Sequence, residues 1–194
     1  MGKIGLAVSP QKPNIVYASI ELPATKGGTW RSEDYGASWK KVSDFVSGGT
    51  GPHYYQEIWA DPHRFGCLYH ANNSLSRSLD GGETWEDIEG NSKHGDNHAI
   101  AFHPTDPDMV ICGTDGGVYA SFDFAQTWQH MPNLPLTQFY KVDVDNDTPF
   151  YHIVGGTQDN STQYGPTRTR AATGIASSDW IVPIGGDGHD NAIH

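Results

Sequence analysis

The sequence predicts an all-β fold built from four-stranded antiparallel sheets, and three observations lead to that prediction. The pattern Ser-x-Asp-x-Gly-x-(Ser/Thr)-Trp recurs and ends at Trp39, Trp85 and Trp128. Glycine and proline are frequent, with 23 and 12 of 194 residues, as expected of short strands joined by turns, and long helical patterns are missing. A repeat of about 40–45 residues is typical of a β-propeller blade. We therefore expect propeller blades, in a chain that is a fragment of a larger propeller.

The first blade is expected at about residues 4–43 of a single partial propeller covering 1–194. Apolar residues alternate with small or polar ones, and β-branched residues are common, which favours strands over helices. A turn containing Pro10 and Pro13 separates the first two strands, and the first copy of the pattern separates the last two. The expected strands are 5–8, 15–20, 29–31 and 39–42.

The second and third blades repeat this order at about 56–90 and 98–133. Turns at 61–64 and 103–108 each contain Pro and Asp, which favour a reversal of the chain. The expected strands are 57–60, 67–70, 75–77 and 85–88 in the second blade, and 98–102, 109–112, 117–120 and 128–130 in the third.

The fourth blade, at about 139–194, is irregular because it lacks the repeated pattern. Its first two strands are expected at 139–144 and 150–154, around a turn at 146–149. Residues 161–178 are rich in Thr, Gly, Ser and Arg, and we expect a long surface excursion there. A strand restarts at 179–183, and 185–190 form a loop.

The repeated pattern has a structural explanation. A short Asp side chain accepts hydrogen bonds from backbone N–H groups of its own turn, Gly supplies a positive φ, and Trp packs a large apolar face against the neighbouring blade. The third copy has Ala125 where the others have Gly, so we expect that turn to be reshaped. The residues assigned to this structural role are Ser32, Asp34, Gly36, Trp39, Ser78, Asp80, Gly82, Trp85, Ser121, Asp123, Thr127 and Trp128.

These residues resemble the Asp-box, or BNR repeat, of sialidases, xyloglucanases and sortilin-type propellers. A second set of motifs follows in order, comprising 94–98 (HGDNH), 113–117 (GTDGG), 138–140 (QFY) and 155–161 (GGTQDNS). Together they resemble bacterial sortilin-like, or glycosyl-hydrolase-like, BNR-repeat proteins over nearly the whole chain. The resemblance implies an extracellular or periplasmic location, although residues 1–10 do not read as a signal peptide.

Charge and composition exclude several partners. The formal net charge is −11, which disfavours nucleic acid and anionic membrane surfaces. No run approaches the roughly 18 apolar residues of a membrane helix, so no membrane insertion is expected. Cys67 and Cys112 are expected to be buried thiols, a disulfide being the less favoured alternative. No cofactor is expected, and a divalent cation is the one option left open.

Chain direction predicts two ends for each blade. The strand 1–2 turns and the Asp-boxes share one end, and the strand 2–3 loops and the connections between blades share the other. Polar and aromatic residues gather at this second end, where a ligand is expected because functional residues favour loops on a rigid scaffold. They are His53, Tyr54, Tyr55, Asn72, Asn73, His94, Asp96, Asn97, His98, Asp115, Gln138, Gln158, Asp159 and Asn160.

The candidate ligand-binding residues are His94, Asp96, His98, Asp115, Gln158, Asp159 and Asn160. Alternate residues of a strand share a face, so His94, Asp96 and His98 could ligate a metal; hydrogen bonding to neighbouring blades is the favoured alternative. The Asp-Gly pairs at 115–116 and 187–188 also suit simple turns. We expect Asp96, His98, Asp115 and Asp159 to converge.

Three functions remain open on this basis. The first is a sortilin-like ligand-binding module that holds a glycan or a peptide at the polar end, within a longer parent chain. The second is a xyloglucanase-like glycoside hydrolase using a carboxylate pair, with Asp96, Asp115, Asp159 and Asp187 as catalytic candidates. The third is a structural module. A sialidase is disfavoured because Arg31 and Arg77 belong to the Asp-box strands and leave no arginine cluster at the polar end.

Overall fold

The computed structural model describes residues 2–22, 26–46, 57–133 and 137–193. Within these ranges the protein is all-β, with sixteen strands in four antiparallel sheets and no α-helix; a 3-10 turn spans Ser177–Asp179. None of the described helical segments is long and apolar enough to cross a membrane.

Each sheet uses four consecutive strands paired in chain order. The first sheet contains β1 (Ile4–Val8), β2 (Val16–Ile20), β3 (Gly28–Ser32) and β4 (Lys40–Ser43). The second contains β5 (Glu57–Ala60), β6 (Leu68–Ala71), β7 (Leu75–Ser78) and β8 (Glu86–Asp87). The third contains β9 (Asn97–Phe102), β10 (Val110–Thr114), β11 (Gly117–Ser121) and β12 (Gln129–His130). The fourth contains β13 (Lys141–Val144), β14 (His152–Gly156), β15 (Thr162–Pro166) and β16 (Ile181–Ile184).

The fourth sheet corrects one expectation. Residues 161–178 were expected to form a surface excursion, but their first part is the strand β15, which pairs with β14 and β16. The strand is hard to recognise because its sequence, Thr-Gln-Tyr-Gly-Pro, has no apolar alternation and contains glycine and proline, and because no Asp-box follows it. A Cβ atom at Gly165 would lie 2.3 Å from the indole of Trp180, so glycine allows this ring to lie directly on the strand.

The chain divides into two compact units, residues 1–132 and 133–194. The first unit holds three sheets that pack through two apolar clusters. One cluster joins the first and second sheets and contains Ala7, Ile15, Tyr17, Ile58 and Leu68. The other joins the second and third sheets and contains Cys67, Tyr69, Ala71, Leu75, Ile88, Ile100, Val110, Cys112, Tyr119, Ala125 and Trp128. Cys67 and Cys112 are free and buried, and burial raises the pKa of their thiols to about 12 and about 11.

The three Asp-boxes are the turns between the third and fourth strands of the first three sheets. In the second box, Asp80 accepts hydrogen bonds from Ser78 Oγ (2.8 Å), Thr84 N (2.9 Å) and Thr84 Oγ1 (2.5 Å). Ser78 Oγ in turn accepts from Gly82 N at 2.8 Å. The same bonds recur around Asp34 and Asp123.

The third box is not reshaped, contrary to expectation. Ala125 adopts φ 59° and keeps its N–H on Ser121 Oγ at 2.8 Å, as Gly36 and Gly82 do at φ 88° and 94°. The bonds to Asp123 and Ser121 hold the backbone in the left-handed region although alanine is strained there by about 1–2 kcal/mol. The buried Ala125 methyl also joins the apolar cluster between the second and third sheets.

The tryptophans of the boxes differ in their packing. Trp85 packs against the cluster between the first two sheets, and Trp128 lies in the next cluster, where its Nε1 donates to Ile88 O at 2.8 Å. Trp39 is 38% exposed and donates within its own turn, to Gly36 O at 2.9 Å. The expected packing on a neighbouring sheet therefore holds for Trp85 and Trp128 but not for Trp39, which lies between the last two strands of the first sheet.

Candidate functional site

Hydrogen bonds identify the two ends of each sheet. At one end the boxes bond to the strand 1–2 turns, as in Tyr35 N to Asn14 O (2.9 Å), Gly81 N to Gly66 O (2.8 Å) and Phe124 N to Asp108 O (2.8 Å). The opposite end, with the strand 2–3 loops and the segments entering each first strand, is called the loop end below. The predicted ligand residues of each unit lie at the loop end of their own sheets, and His53, Tyr54 and Tyr55 lie outside the described residues.

In the first unit, three candidates come together at the loop end. His98 Nε2 lies 2.6 Å from Asp115 Oδ1, with the His98 side chain 41% exposed and that of Asp115 13% exposed. A carboxylate oxygen of Asp96 lies within 4.8 Å of one of Asp115, and Asp96 Oδ1 accepts from Asn73 Nδ2 at 3.1 Å. Asp115 and Gly116 are also the two-residue turn between β10 and β11, so the turn and the site use the same residue.

His94 packs against the same turn, because a Cβ atom on Gly116 would lie 2.4 Å from the Cβ atom of His94. Its ring nitrogen Nδ1 lies 3.0 Å from the neighbouring Gly95 O, and both His94 and Asp96 precede β9. Asp96 has φ 52°, which interrupts the alternation that was expected to place His94, Asp96 and His98 on one face. In the described structure each of the three side chains bonds to a different partner.

A buried polar network that the sequence did not indicate supports these candidates. The Lys93 Nζ atom, in a fully buried side chain, donates to Glu89 Oε1 (2.6 Å), to His94 O (2.9 Å) and to Asn97 Oδ1. Asn97 Nδ2 donates to Glu89 Oε2 and Asn72 O, both at 3.0 Å. The network fixes the segment that leads into β9, and therefore the positions of Asp96 and His98. A buried lysine is tolerated because each of its bonds goes to an acceptor.

In the second unit, the candidates lie in the turn between β14 and β15. Gln158, Asp159 and Asn160 are exposed, and the backbone N–H of Asp159 donates to Asp187 Oδ1 at 2.8 Å. Asp187 thus holds the turn through the backbone, and Asn160 Nδ2 donates to Gln158 O at 3.1 Å. Asp159 has φ 57°.

An aromatic pair at the same end was missing from the predicted set. The rings of Tyr140 and His189 stack with centroids 4.6 Å apart and an interplanar angle of 27°. The Tyr140 hydroxyl donates to Gln158 Oε1, and His189 Nε2 lies 4.0 Å from Asp187 Oδ2. Tyr140 is 45% exposed. The motif at 138–140 singled out Tyr140, but His189 lies 49 residues further along, where no sequence spacing connects the two.

Glycine at position 156 makes this arrangement possible. A Cβ atom on Gly156 would lie 1.5 Å from Gly188 O, so any side chain would push the 185–190 loop away from β14. Gly188 N donates to Thr157 O at 3.0 Å. Close approach of the two backbones brings Asp187 and His189 to the side chains of Gln158 and Tyr140.

Comparison with known proteins shows which family the chain belongs to. Residues 27–164 match the family Sortilin-Vps10, described as sortilin, neurotensin receptor 3. The match covers more than half of the chain. The chain belongs to the Sortilin-Vps10 family. This Sortilin-Vps10 chain carries the Asp-boxes and most of the loop-end candidates within the matched range, whereas Asp187 and His189 lie beyond it.

Curated relatives include both receptors and enzymes. The chain is 29% identical over 153 residues to the oligoxyloglucan-reducing end-specific xyloglucanase of Emericella nidulans, covering 68% of this chain and 18% of that protein. It is 26% identical over 155 residues to the VPS10 domain-containing receptor SorCS1 of Homo sapiens, covering 77% and 13%. The Sortilin-Vps10 chain therefore spans less than a fifth of the length of these relatives.

Solved structures agree with the propeller fold. The GH74 enzyme of Niastella koreensis superposes with a TM-score of 0.56 at 18% identity, over 91% of this chain and 29% of that one. An ancestral GH74 enzyme gives a TM-score of 0.52 at 16% identity, over 84% and 22%. At these identities the likeness concerns the fold of the Sortilin-Vps10 chain.

Proposed function

We propose that this chain is a ligand-binding propeller module that holds a glycan at its loop end, as part of a longer propeller. The observation that carries the proposal is the exposed Tyr140–His189 stack bordered by Gln158 and Asp187. Sugars present C–H faces to aromatic rings and hydroxyls to amides and carboxylates, and sites of this kind combine a few placed polar groups with aromatic surface. A xyloglucanase among the relatives supports an oligosaccharide as the first ligand to test.

The test compares two tyrosines of equal exposure. Tyr140 and Tyr151 are both 45% exposed and both belong to the second unit, but Tyr151 lies near the turn between β13 and β14, away from the loop end. We expect Tyr140→Ala to weaken the binding of xyloglucan oligosaccharides by about 1 kcal/mol, or roughly fivefold. Tyr151→Ala should bind as the unaltered chain does. Titration calorimetry with the oligosaccharides measures both.

Other results would redirect the proposal. Equal loss in both variants, or no loss in Tyr140→Ala, contradicts a site at the aromatic pair. Binding of peptides but no oligosaccharide would favour the peptide ligand of a sortilin-like receptor, and no binding of either would favour a structural module. The relatives also support an extracellular or periplasmic location, which fractionation of the source cells tests directly.

A second candidate is glycoside hydrolysis, favoured by the carboxylates of Asp96 and Asp115. Their oxygens approach within 4.8 Å, and retaining glycosidases use two carboxyl groups about 5–5.5 Å apart. The release of reducing ends from xyloglucan tests this function, with Asp96→Asn and Asp115→Asn expected to abolish it. The control is Asp106→Asn, in an exposed turn at the opposite end of the third sheet. Binding without hydrolysis would leave the module function standing alone.

A further inference from the structure

A mixed carboxylate and imidazole cluster lies at the other end of the fourth sheet, in the turn between β13 and β14. Its members are Asp145, Asp147 and His152, whose potential ligand atoms all lie within 4.8 Å of one another. His152 Nδ1 is 2.8 Å from Asp145 Oδ2 and 3.6 Å from Asp147 Oδ2. The cluster lies within one compact unit and is separate from the loop-end residues.

The cluster departs from the repeat at the position of His152. In each sheet the residue after the first strand bonds through its N–H to a carbonyl just before or at the start of the second strand: Ser9 to Ile15, Asp61 to Cys67, His103 to Met109 and Asp145 to His152. The side chains of Ile15 and Cys67 are buried among apolar residues, and that of Met109 is partly buried. The fourth sheet places an imidazole there, 32% exposed, facing two carboxylates.

Charge balance indicates a cationic ligand. Within the described ranges no lysine or arginine forms an ion pair with Asp145 or Asp147, and the imidazole of His152 faces both carboxylates. One imidazolium balances one of the two negative charges, and a neutral imidazole balances none. Divalent binding would neutralise both carboxylates and use the imidazole as a neutral nitrogen donor.

We propose that Asp145, Asp147 and His152 bind a first-row divalent transition metal, zinc being the representative ion. Zinc takes nitrogen ligands at about 2.0–2.1 Å and carboxylate oxygens at about 2.0–2.2 Å, which separates neighbouring ligand atoms by roughly 3–3.5 Å. The two nitrogen–oxygen distances of 2.8 and 3.6 Å bracket this separation. An imidazole with two carboxylates suits zinc or manganese better than calcium, which takes oxygen ligands. The remaining positions face solvent because the Asp147 side chain is 70% exposed.

Two features prepare the cluster for binding. The His152 ring stacks on Tyr164 at 5.2 Å with an interplanar angle of 18°, which restricts its rotation. Asp145 Oδ1 accepts from His152 N at 2.9 Å and from Asp147 N at 3.2 Å, so the carboxylate is oriented while its Oδ2 faces the imidazole. The turn therefore presents the imidazole and the Asp145 carboxylate side by side, and a small increase in their separation would let both bind one metal ion.

The experiment titrates the untagged chain with zinc by calorimetry and with cobalt, whose visible absorption reports nitrogen and oxygen ligation. One equivalent is expected to bind. Even outer-shell partners are worth about 10–100-fold in metal affinity, so His152→Gln and Asp147→Asn should each bind at least about tenfold more weakly and lose the absorption band. Asp147 is the safer variant because its side chain is exposed and contacts His152 alone in the described structure.

Two control variants locate the metal. Asp106→Asn removes an acid from the corresponding turn of the third sheet and should leave both titrations unchanged. His98→Gln removes an exposed imidazole that faces a carboxylate in the first unit and should also leave them unchanged. The proposal is overturned if the unaltered chain binds neither ion, if folded Asp147→Asn binds as tightly as the unaltered chain, or if His98→Gln is the variant that loses the metal.

Discussion

At the scale of single residues, the carboxylate of each Asp-box acts as the acceptor that closes its turn. Hydrogen bonds from Ser38, first from its side chain and then from its backbone, hold the pKa of Asp34 at about 2. Thr127 does the same for Asp123, whose pKa is also about 2. Burial is the largest single influence on Asp80 and raises its pKa, but the bonds from Thr84 and Ser78 together outweigh it and the pKa is lowered. These aspartates are therefore occupied with the turn.

Removing one of these acceptors should destabilise the fold without touching the loop end. We expect Asp80→Ala to lower the free energy of unfolding by about 1–3 kcal/mol, because Thr84 N and two hydroxyls lose their acceptor. Urea unfolding measures the change. Glu83→Ala is the matched control, since Glu83 is an exposed acid of the same turn that bonds to Asp80 only through its backbone, which the substitution keeps. A loss of ligand binding at unchanged stability would contradict the structural role.

The same carboxylates make the stability of the folded chain fall at low pH. The pKa of Asp123 is about 2 in the folded chain and its ordinary value is 3.8, so the unfolded state binds the proton first as pH falls. The stabilisation from Asp123 is therefore present above about pH 4 and is lost as pH falls towards 2. Across this range, the melting temperature of Asp123→Asn should depend less steeply on pH than that of the unaltered chain. Equal slopes would show that the bonds to Asp123 do not favour its ionised form.

At the scale of elements, a buried histidine links the first two sheets. His70 on β6 is fully buried, its Nε2 lies 2.8 Å from Ser19 Oγ on β2, and the rings of Phe45 and Trp85 meet it edge-on. Burial lowers the pKa of His70 to about 4 from its ordinary 6.5. The folded state thus favours neutral imidazole at this contact between sheets.

This histidine should make the first unit sensitive to mild acid. Between pH 6.5 and about 4 the unfolded chain binds a proton at His70 and the folded chain does not, so stability falls as pH falls through that window. Urea unfolding at pH 7, 5.5 and 4.5 should show a smaller decline for His70→Gln than for the unaltered chain. His130 is exposed, so His130→Gln should lose stability with falling pH as much as the unaltered chain does. An unchanged slope in His70→Gln would contradict the assignment.

How far the sequence predicts an element depends on the range of the interactions that form it. The bonds that the Ser and Asp side chains make inside each of the three boxes lie within four residues, and the pattern alone places the boxes at the strand 3–4 turns. The strand β15 depends on pairing with β14 and on Trp180 covering Gly165, which no local pattern shows. The Glu89–Lys93–Asn97 network and the Tyr140–His189 pair likewise depend on packing between segments, so the sequence indicated the loop end but not its supports.

At the scale of the whole molecule, β1 carries apolar side chains at positions that join two sheets elsewhere in the chain, but in the described structure these side chains on β1 are exposed. Leu6, Ile58 and Ile100 occupy equivalent positions in the first strands of their sheets. Each lies two residues before the residue that pairs with the start of the second strand, which is Val16, Leu68 or Val110 respectively. Ile58 and Ile100 are 5% and 8% exposed in the clusters shared with the preceding sheet. Leu6 is 62% exposed, next to Ile4 and Val8 at 49% and 55%. Trp39, equivalent to Trp85 and Trp128, is exposed on the same sheet.

This apolar strip should make the chain associate when it is studied alone. Exposed apolar surface of the kind that elsewhere joins two sheets favours contact with another copy. We expect the sedimentation coefficient to rise with protein concentration, and Leu6→Asp to suppress that rise because it places a charge in the centre of the strip. Leu79→Asp is the matched control, since Leu79 is 57% exposed in the second Asp-box turn, away from β1, and it should associate as the unaltered chain does. A monomer at every concentration, or equal suppression by both variants, would show that the strip does not drive association.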